Sequence, residues 1–214
     1  MGSNMEVATE SFLRLIDAHE SPLVRDVFAD QILSRTVAVP PSIRDAYDYR
    51  LCVSPIALGL PATAFGDADA VLIEQGKPER ASVVEFKRVK VTQASLLTEE
   101  INKLGELPKA VRQANALFAV GFGAVWLTVI VVADMRSPDG SVFRFSPAKL
   151  VQRVREAVPL ARLNPAVGVT VCEITQVSDR PANWRGGSGG QILQMAVERD
   201  QPPELTSAVA RLFS

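Results

Sequence analysis

The chain has 214 residues, 47% hydrophobic and 22% charged, with a net charge of −1 and a pI of about 5.9. That length suits one sizeable core and a single domain over residues 1–214, and the charge excludes a globally basic nucleic-acid-binding surface, leaving room only for a local patch. One histidine, His19, and two distant cysteines, Cys52 and Cys172, exclude a multi-histidine or Cys-x-x-Cys zinc centre, and no phosphate loop or Gly-x-Ser-x-Gly elbow occurs, so the available chemistry is that of carboxylates and lysine.

Met1-Gly2-Ser3-Asn4-Met5 reads as an added leader with the native start at Met5, and no secretory signal pattern follows. Residues 5–40 form an N-terminal helical region. Phe12, Leu13, Leu15 and Ile16 fall at helical spacing in a first helix, with His19 near its end. A second starts with Ser21 as cap and Pro22 at the first position, carries Val24, Val27, Phe28, Ile32 and Leu33, and is ended by Pro40-Pro41. Tyr49–Val53 reads as a strand. Asp69–Ile73 and Ser82–Val89 are two more, joined by a turn over Gln75–Glu79. Thr98 caps a following helix with Glu99 and Glu100 in its first turn, and Pro108 breaks or restarts it. Ala110, Val111, Ala114, Leu117 and Phe118 then give an apolar stripe that Gly121 ends.

Ala116–Ala133 contains no charged residue over eighteen positions, the lower limit for a membrane-spanning helix. Gly121 and Gly123 interrupt it, however, and Val125–Val132 is rich in β-branched residues. The run therefore reads as a helix end, a glycine turn and a central strand covered on both faces, with no membrane partner and a cytoplasmic location. Both cysteines lie in apolar contexts and read as buried thiols of a reducing compartment. Residues 147–158 form a helix with Ser146 as cap and Pro147 at N1, and Val167–Val177 a strand. Residues 178–190 form a flexible, glycine-rich loop. Ile192–Val197 is a short strand, and an amphipathic helix starts near Pro203.

Side chains alternate along a strand, so Glu85 and Lys87 share one face while Val84 and Phe86 point to the other. Charged groups in an apolar block are costly to bury unless paired or bound to a metal. Asp69, a gap, then Glu85-Phe86-Lys87 resembles the signature of the PD-(D/E)XK nuclease superfamily. The likeness covers residues 65–135, and Ala68 stands where the family has proline. The resemblance implies an α/β fold: a central mixed β-sheet flanked by helices, with a restriction-endonuclease-like αβββαβ core. It also implies a metal-dependent endonuclease, a hydrolase of DNA or RNA phosphodiesters. Asp69, Glu85 and the main-chain carbonyl of Phe86 would ligate Mg²⁺ or Mn²⁺, and Lys87 would orient the attacking water or stabilise developing charge. The HNH and phospholipase-D-like nucleases are disfavoured by the single histidine.

Asp67 shares a strand face with Asp69 and remains an alternative ligand. Glu10 and Glu20 are candidates for an additional acidic residue on the first helix, with a plain surface role the simpler reading for each. Gln113 stands where a RecB-related branch places a glutamine that helps hold the site. Arg88, Lys90, Lys109 and Arg112 are candidate substrate contacts, whereas Lys103 reads as part of a solvated helix face. Trp184 and Arg185 can stack on an unpaired base. A homodimer is compatible with the sequence, and so is a noncatalytic nucleic-acid or protein-binding module on the same fold.

Overall fold

A computed structural model describes residues 19–41, 43, 46–98, 100–134, 148–176, 184–186 and 190–214. The expected first helix and Glu10 lie outside them, as do Ser146 and Pro147. Helix α1 (Glu20–Ala29) buries Leu23, Val24, Val27 and Phe28, the 3.6-residue stripe visible in its sequence. It begins two residues earlier than the Ser21-Pro22 signal suggests. The His19 carbonyl accepts from the Leu23 amide at 3.0 Å, so His19 is the cap and Glu20 already lies in the first turn. A short α2 (Gln31–Leu33) continues as a π-helical turn, Ser34–Ala38, ahead of Pro40.

Strands β1 (Tyr47–Val53), β2 (Ala68–Glu74) and β3 (Ser82–Thr92) form an antiparallel meander. The expected turn is present, Gly76 taking a positive φ ahead of a 3-10 turn at Pro78–Arg80. After β3 come α3 (Gln93–Thr98), a 3-10 turn at Leu104–Glu106 and α4 (Leu107–Val120). Thr98 thus ends a helix instead of capping the next one. Its hydroxyl donates back to the Ala94 carbonyl at 3.1 Å, the local bond available to a threonine inside a helix. Pro108 sits in the first turn of α4, which is the restart it signals.

Gly121 closes α4 at φ +109°, with its amide on the Phe118 carbonyl, and β4 (Ala124–Asp134) follows. β4 pairs in parallel with β3 on one side and with β5 (Gly168–Gln176) on the other. Val125, Leu127, Val129 and Val131 pack in the core under α4, while Trp126, Ile130 and Val132 pack in the core under α1. That double burial explains a run with no charged residue from Ala124 to Ala133. No helix among the described residues is long and apolar enough to cross a membrane.

Helix α5 (Ala148–Ala157) leads to β5, and β6 (Trp184–Gly186) and β7 (Gln191–Gln194) both pair antiparallel with β5. The 178–190 segment therefore contains a short strand at Trp184–Gly186, because β5 offers free ladder positions at Ile174–Gln176; residues 178–183 and 187–189 lie outside the described residues. The final strand spans Gln191–Gln194, not Ile192–Val197, and α6 (Pro203–Phe213) ends the chain. The sheet order is β1-β2-β3-β4-β5-β6, with β7 also beside β5. The fold is α/β, a mixed sheet flanked by helices, and α1, β1–β3, α4 and β4 supply the expected αβββαβ succession.

Candidate active site

The site forms where the β2–β3 ladder opens. The strands are in register at Ala70↔Val84, and one further step sets Asp69 opposite Glu85. There the backbone pairing stops, and Asp69 Oδ2 accepts from the Phe86 amide at 2.7 Å. On the other side of β2, Leu51 pairs with Ala70 and Val53 with Ala68, skipping the residue between. That residue, Cys52, has φ +53°, a left-handed conformation costing about 1–2 kcal/mol for a side chain with a Cβ. Asp69 is thus released from both ladders while the buried Ala68 and Ala70 hold its position. Cys52 is exposed at this edge and not a buried thiol; Cys172 is buried, and burial pushes its pKa up to about 12.

Burial dominates the electrostatics of the carboxyl pair. Glu85 is only 5% exposed; desolvation, then the charges of Asp69 and Glu20, push its pKa up to about 9. Asp69 rises to about 6 for the same first reason, opposed by the Phe86 amide. A hydrogen bond between the two carboxyl groups lowers Asp69 and raises Glu85, so near neutral pH the pair shares one proton. Glu85 Oε2 is buried with no hydrogen-bond partner.

Lys87 lies two residues along the same face. Its Nζ contacts Glu20 Oε1 and Glu106 Oε2, each at 3.0 Å. Burial pulls its pKa down, but the hydrogen bonds to Glu106 and Glu20 outweigh it and the ammonium stays charged. Glu20 Oε2 also accepts from the Arg88 amide at 2.8 Å, which ties the start of α1 to β3. A plain surface role for Glu20 is therefore overturned: the helix begins early enough to turn this carboxylate onto the strand. Glu106 has no sequence signal of its own; the 3-10 turn before α4 brings it in, and Lys87 lowers its pKa.

Gln113, on α4, donates to the Asp67 carbonyl at 3.1 Å, and its amide group packs against Gly66. It braces the entry to β2, two residues from Asp69, without touching the carboxyl pair. The Asp67 side chain is exposed, so of the two aspartates Asp69 is the one at Glu85.

The candidate substrate residues are not brought together. Arg88 is 9% exposed, on the α1 face of β3, buried instead of forming part of an open patch. Lys90 pairs with Asp134 at 3.4 Å. Lys109 and Arg112 are exposed, one turn apart on α4. The Trp184 and Arg185 backbone lies in β6, beyond β5 and away from β2 and β3.

Among the described residues no group of three or more His, Cys, Asp or Glu side chains is placed to hold a metal ion. Two adjoining carboxyls with raised pKa values and an unpartnered buried Oε2 nevertheless fit a hard cation that takes few protein ligands and keeps several waters. Carboxylate oxygens of this kind are ligands that hard cations such as Mg²⁺ or Mn²⁺ accept.

No family model and no curated protein matches the chain. Among solved structures, it is similar to a protein of unknown function from Silicibacter pomeroyi at 14% identity, covering 77% of this chain and 70% of that one, with a TM-score of 0.31.

Proposed function

We propose that the protein is a metal-dependent nuclease of the PD-(D/E)XK type, hydrolysing DNA phosphodiesters at Asp69, Glu85 and Lys87. One observation carries the reading. Asp69 and Glu85 are driven together in a buried position, and the favourable charge beside them, Lys87, is already shared with Glu20 and Glu106. Such an arrangement disfavours two ionised carboxylates until a cation joins them.

Asp69 and Glu85, with the Phe86 carbonyl, would hold Mg²⁺ or Mn²⁺. A bound divalent ion lowers the pKa of water and screens phosphoryl oxygens. The chain's own residues supply the rest. The Phe86 amide fixes Asp69 Oδ2. The pair gives up its shared proton as it ionises. Lys87, held from two sides, presents a charged ammonium in one geometry beside the carboxyl pair, suited to orienting water or offsetting charge on the phosphoryl group. Gln113 keeps the Gly66–Asp67 segment, and with it the start of β2, in place.

The double clamp on Lys87 also favours a second reading, a noncatalytic binding module in which the lysine serves as a structural tie. A cleavage assay separates the two. Wild-type protein should cut labelled DNA with Mg²⁺ or Mn²⁺ and not with EDTA, and Lys87→Met should lose about 10² or more in rate while keeping its fold. Nucleic-acid binding with no cleavage at millimolar metal would establish the noncatalytic module instead.

A further inference from the structure

The two carboxylates that hold Lys87 are not equivalent. Glu20 is tied through both oxygens, Oε1 to Lys87 Nζ at 3.0 Å and Oε2 to the Arg88 amide at 2.8 Å, and its side chain is 24% exposed. Glu106 reaches Lys87 through Oε2 at 3.0 Å, its side chain is 49% exposed, and it makes no other side-chain hydrogen bond among the described residues. Water competes for a carboxylate so exposed, which leaves its ion pair weak. Glu20 is the anchor of the clamp and Glu106 its loose side.

The backbone around Glu106 suits a contact that opens. Glu106 stands at the N-cap of α4, where a side chain ordinarily accepts from the first-turn amides, yet it makes no capping bond. Its carboxylate goes to Lys87 instead, and the positive end of α4 favours it once released. It rides on a single 3-10 turn, Leu104–Glu106, which follows Lys103 at φ +68°. Lys103 therefore lies in a left-handed turn and not on a helix face.

The position that Glu106 fills is one for an anion. Lys103 and Lys109, three residues to either side, add their charges to that of Lys87 at its carboxylate. A phosphodiester carries the same single charge and offers the same kind of oxygen acceptors. Lys87 in turn acts on both Asp69 and Glu85, so a phosphate taking the place of Glu106 adjoins the carboxyl pair.

We propose that Glu106 is a built-in competitor for the phosphate of the substrate: its carboxylate rests on Lys87 in the free protein and is displaced when a phosphodiester enters, which passes the ammonium from an internal anion to the scissile group. The contact lowers substrate affinity, and Glu20 keeps Lys87 in place once Glu106 has left. The inference rests on the nuclease reading of Asp69, Glu85 and Lys87, and its test is separable from that reading.

The test is a double-mutant cycle on nucleic-acid binding, read by fluorescence anisotropy with a labelled DNA strand of about fifteen nucleotides and the full chain in EDTA, so that nothing is cut. Glu106→Gln should tighten binding about fivefold, the equivalent of one exposed ion pair no longer to be broken. Glu100→Gln, at an exposed position on the same connection, removes the same charge and should change affinity by less than about twofold. Lys87→Met should erase the gain, so that in its background Glu106→Gln also stays within about twofold. In the Glu106→Gln background, Lys87→Met should flatten the log–log salt slope by about 0.7, the value for one phosphate contact on a single strand. Unchanged affinity in Glu106→Gln, an equal gain from Glu100→Gln, a gain that survives Lys87→Met, an unchanged slope, or no binding by any of these proteins overturns the competitor assignment. The Glu100 comparison keeps the test decisive even where Lys87→Met does not fold. Cleavage by the wild-type chain with Mg²⁺ is scored separately: coupling without cleavage counts against hydrolysis alone, and cleavage without coupling counts against Glu106 alone.

Discussion

The Phe86 amide donates to Asp69 Oδ2 at 2.7 Å at the point where the β2–β3 ladder gives out. The bond takes the place of a ladder contact and turns a strand end into a holder for one carboxylate. Glu85, directly across, is left to share its proton with Asp69. A fold that lets two strands separate at this residue sets two acids in one buried space, an arrangement that costs stability until something neutralises it.

That cost has a sign and a pH window. Glu85 sits at about 9 in the folded chain against an ordinary value of 4.5. As pH rises past 4.5 the unfolded chain gives up this proton first, so folding stability falls between about pH 4.5 and 9 and levels off above. Glu85→Gln removes the penalty. Calorimetry in EDTA should show the variant melting higher than wild type by at least about 2–4 °C at pH 8, with little difference at pH 4. Parallel melting profiles across that range would show that Glu85 ionises normally.

Glu20 raises the pKa of both Asp69 and Glu85 through its charge. Glu20→Gln should therefore lower both. Carboxyl titration by NMR should move Asp69 down from its value of about 6. An unmoved Asp69 midpoint would mean that Glu20 acts only as an anchor for Lys87 and the Arg88 amide.

Much of this was readable from the chain, for identifiable reasons. The β2–β3 hairpin announced itself by apolar runs around a Gly-Lys-Pro turn, and the α4–β4 step by Gly121 followed by β-branched residues, both local signals. Asp69, Glu85 and Lys87 stood out because charge is expensive inside such runs. Glu20 and Glu106 did not, since their roles arise from tertiary contact: Glu20 lies 67 residues from its lysine partner. Thr98 misled because a threonine hydroxyl can bond either end of a helix, and Ala94 offered the nearer partner. Cys52 misled because its apolar neighbours suggested an interior, whereas β1 is an edge strand with several exposed positions.

The buried strand supplies a test of the fold itself. Val129 is fully buried in β4, in the core that α4 covers. Val129→Asp places an unpaired carboxylate there, at a cost of several kcal/mol, and should abolish the cooperative melting transition or send the chain into aggregates. A variant melting within about 1 kcal/mol of wild type would contradict the placement of this strand.

The central claim is that Asp69 and Glu85 form a proton-sharing pair that a divalent cation ionises. The most direct measurement is calorimetric titration of Mn²⁺ into the protein at pH 7.5, in two buffers of different ionisation enthalpy. The pair enters with one shared proton and must leave ionised, so binding should release about one proton per ion, and Glu85→Gln should weaken binding and remove the release. No binding at millimolar Mn²⁺, or binding that Glu85→Gln leaves unchanged in affinity and proton release, would contradict the account.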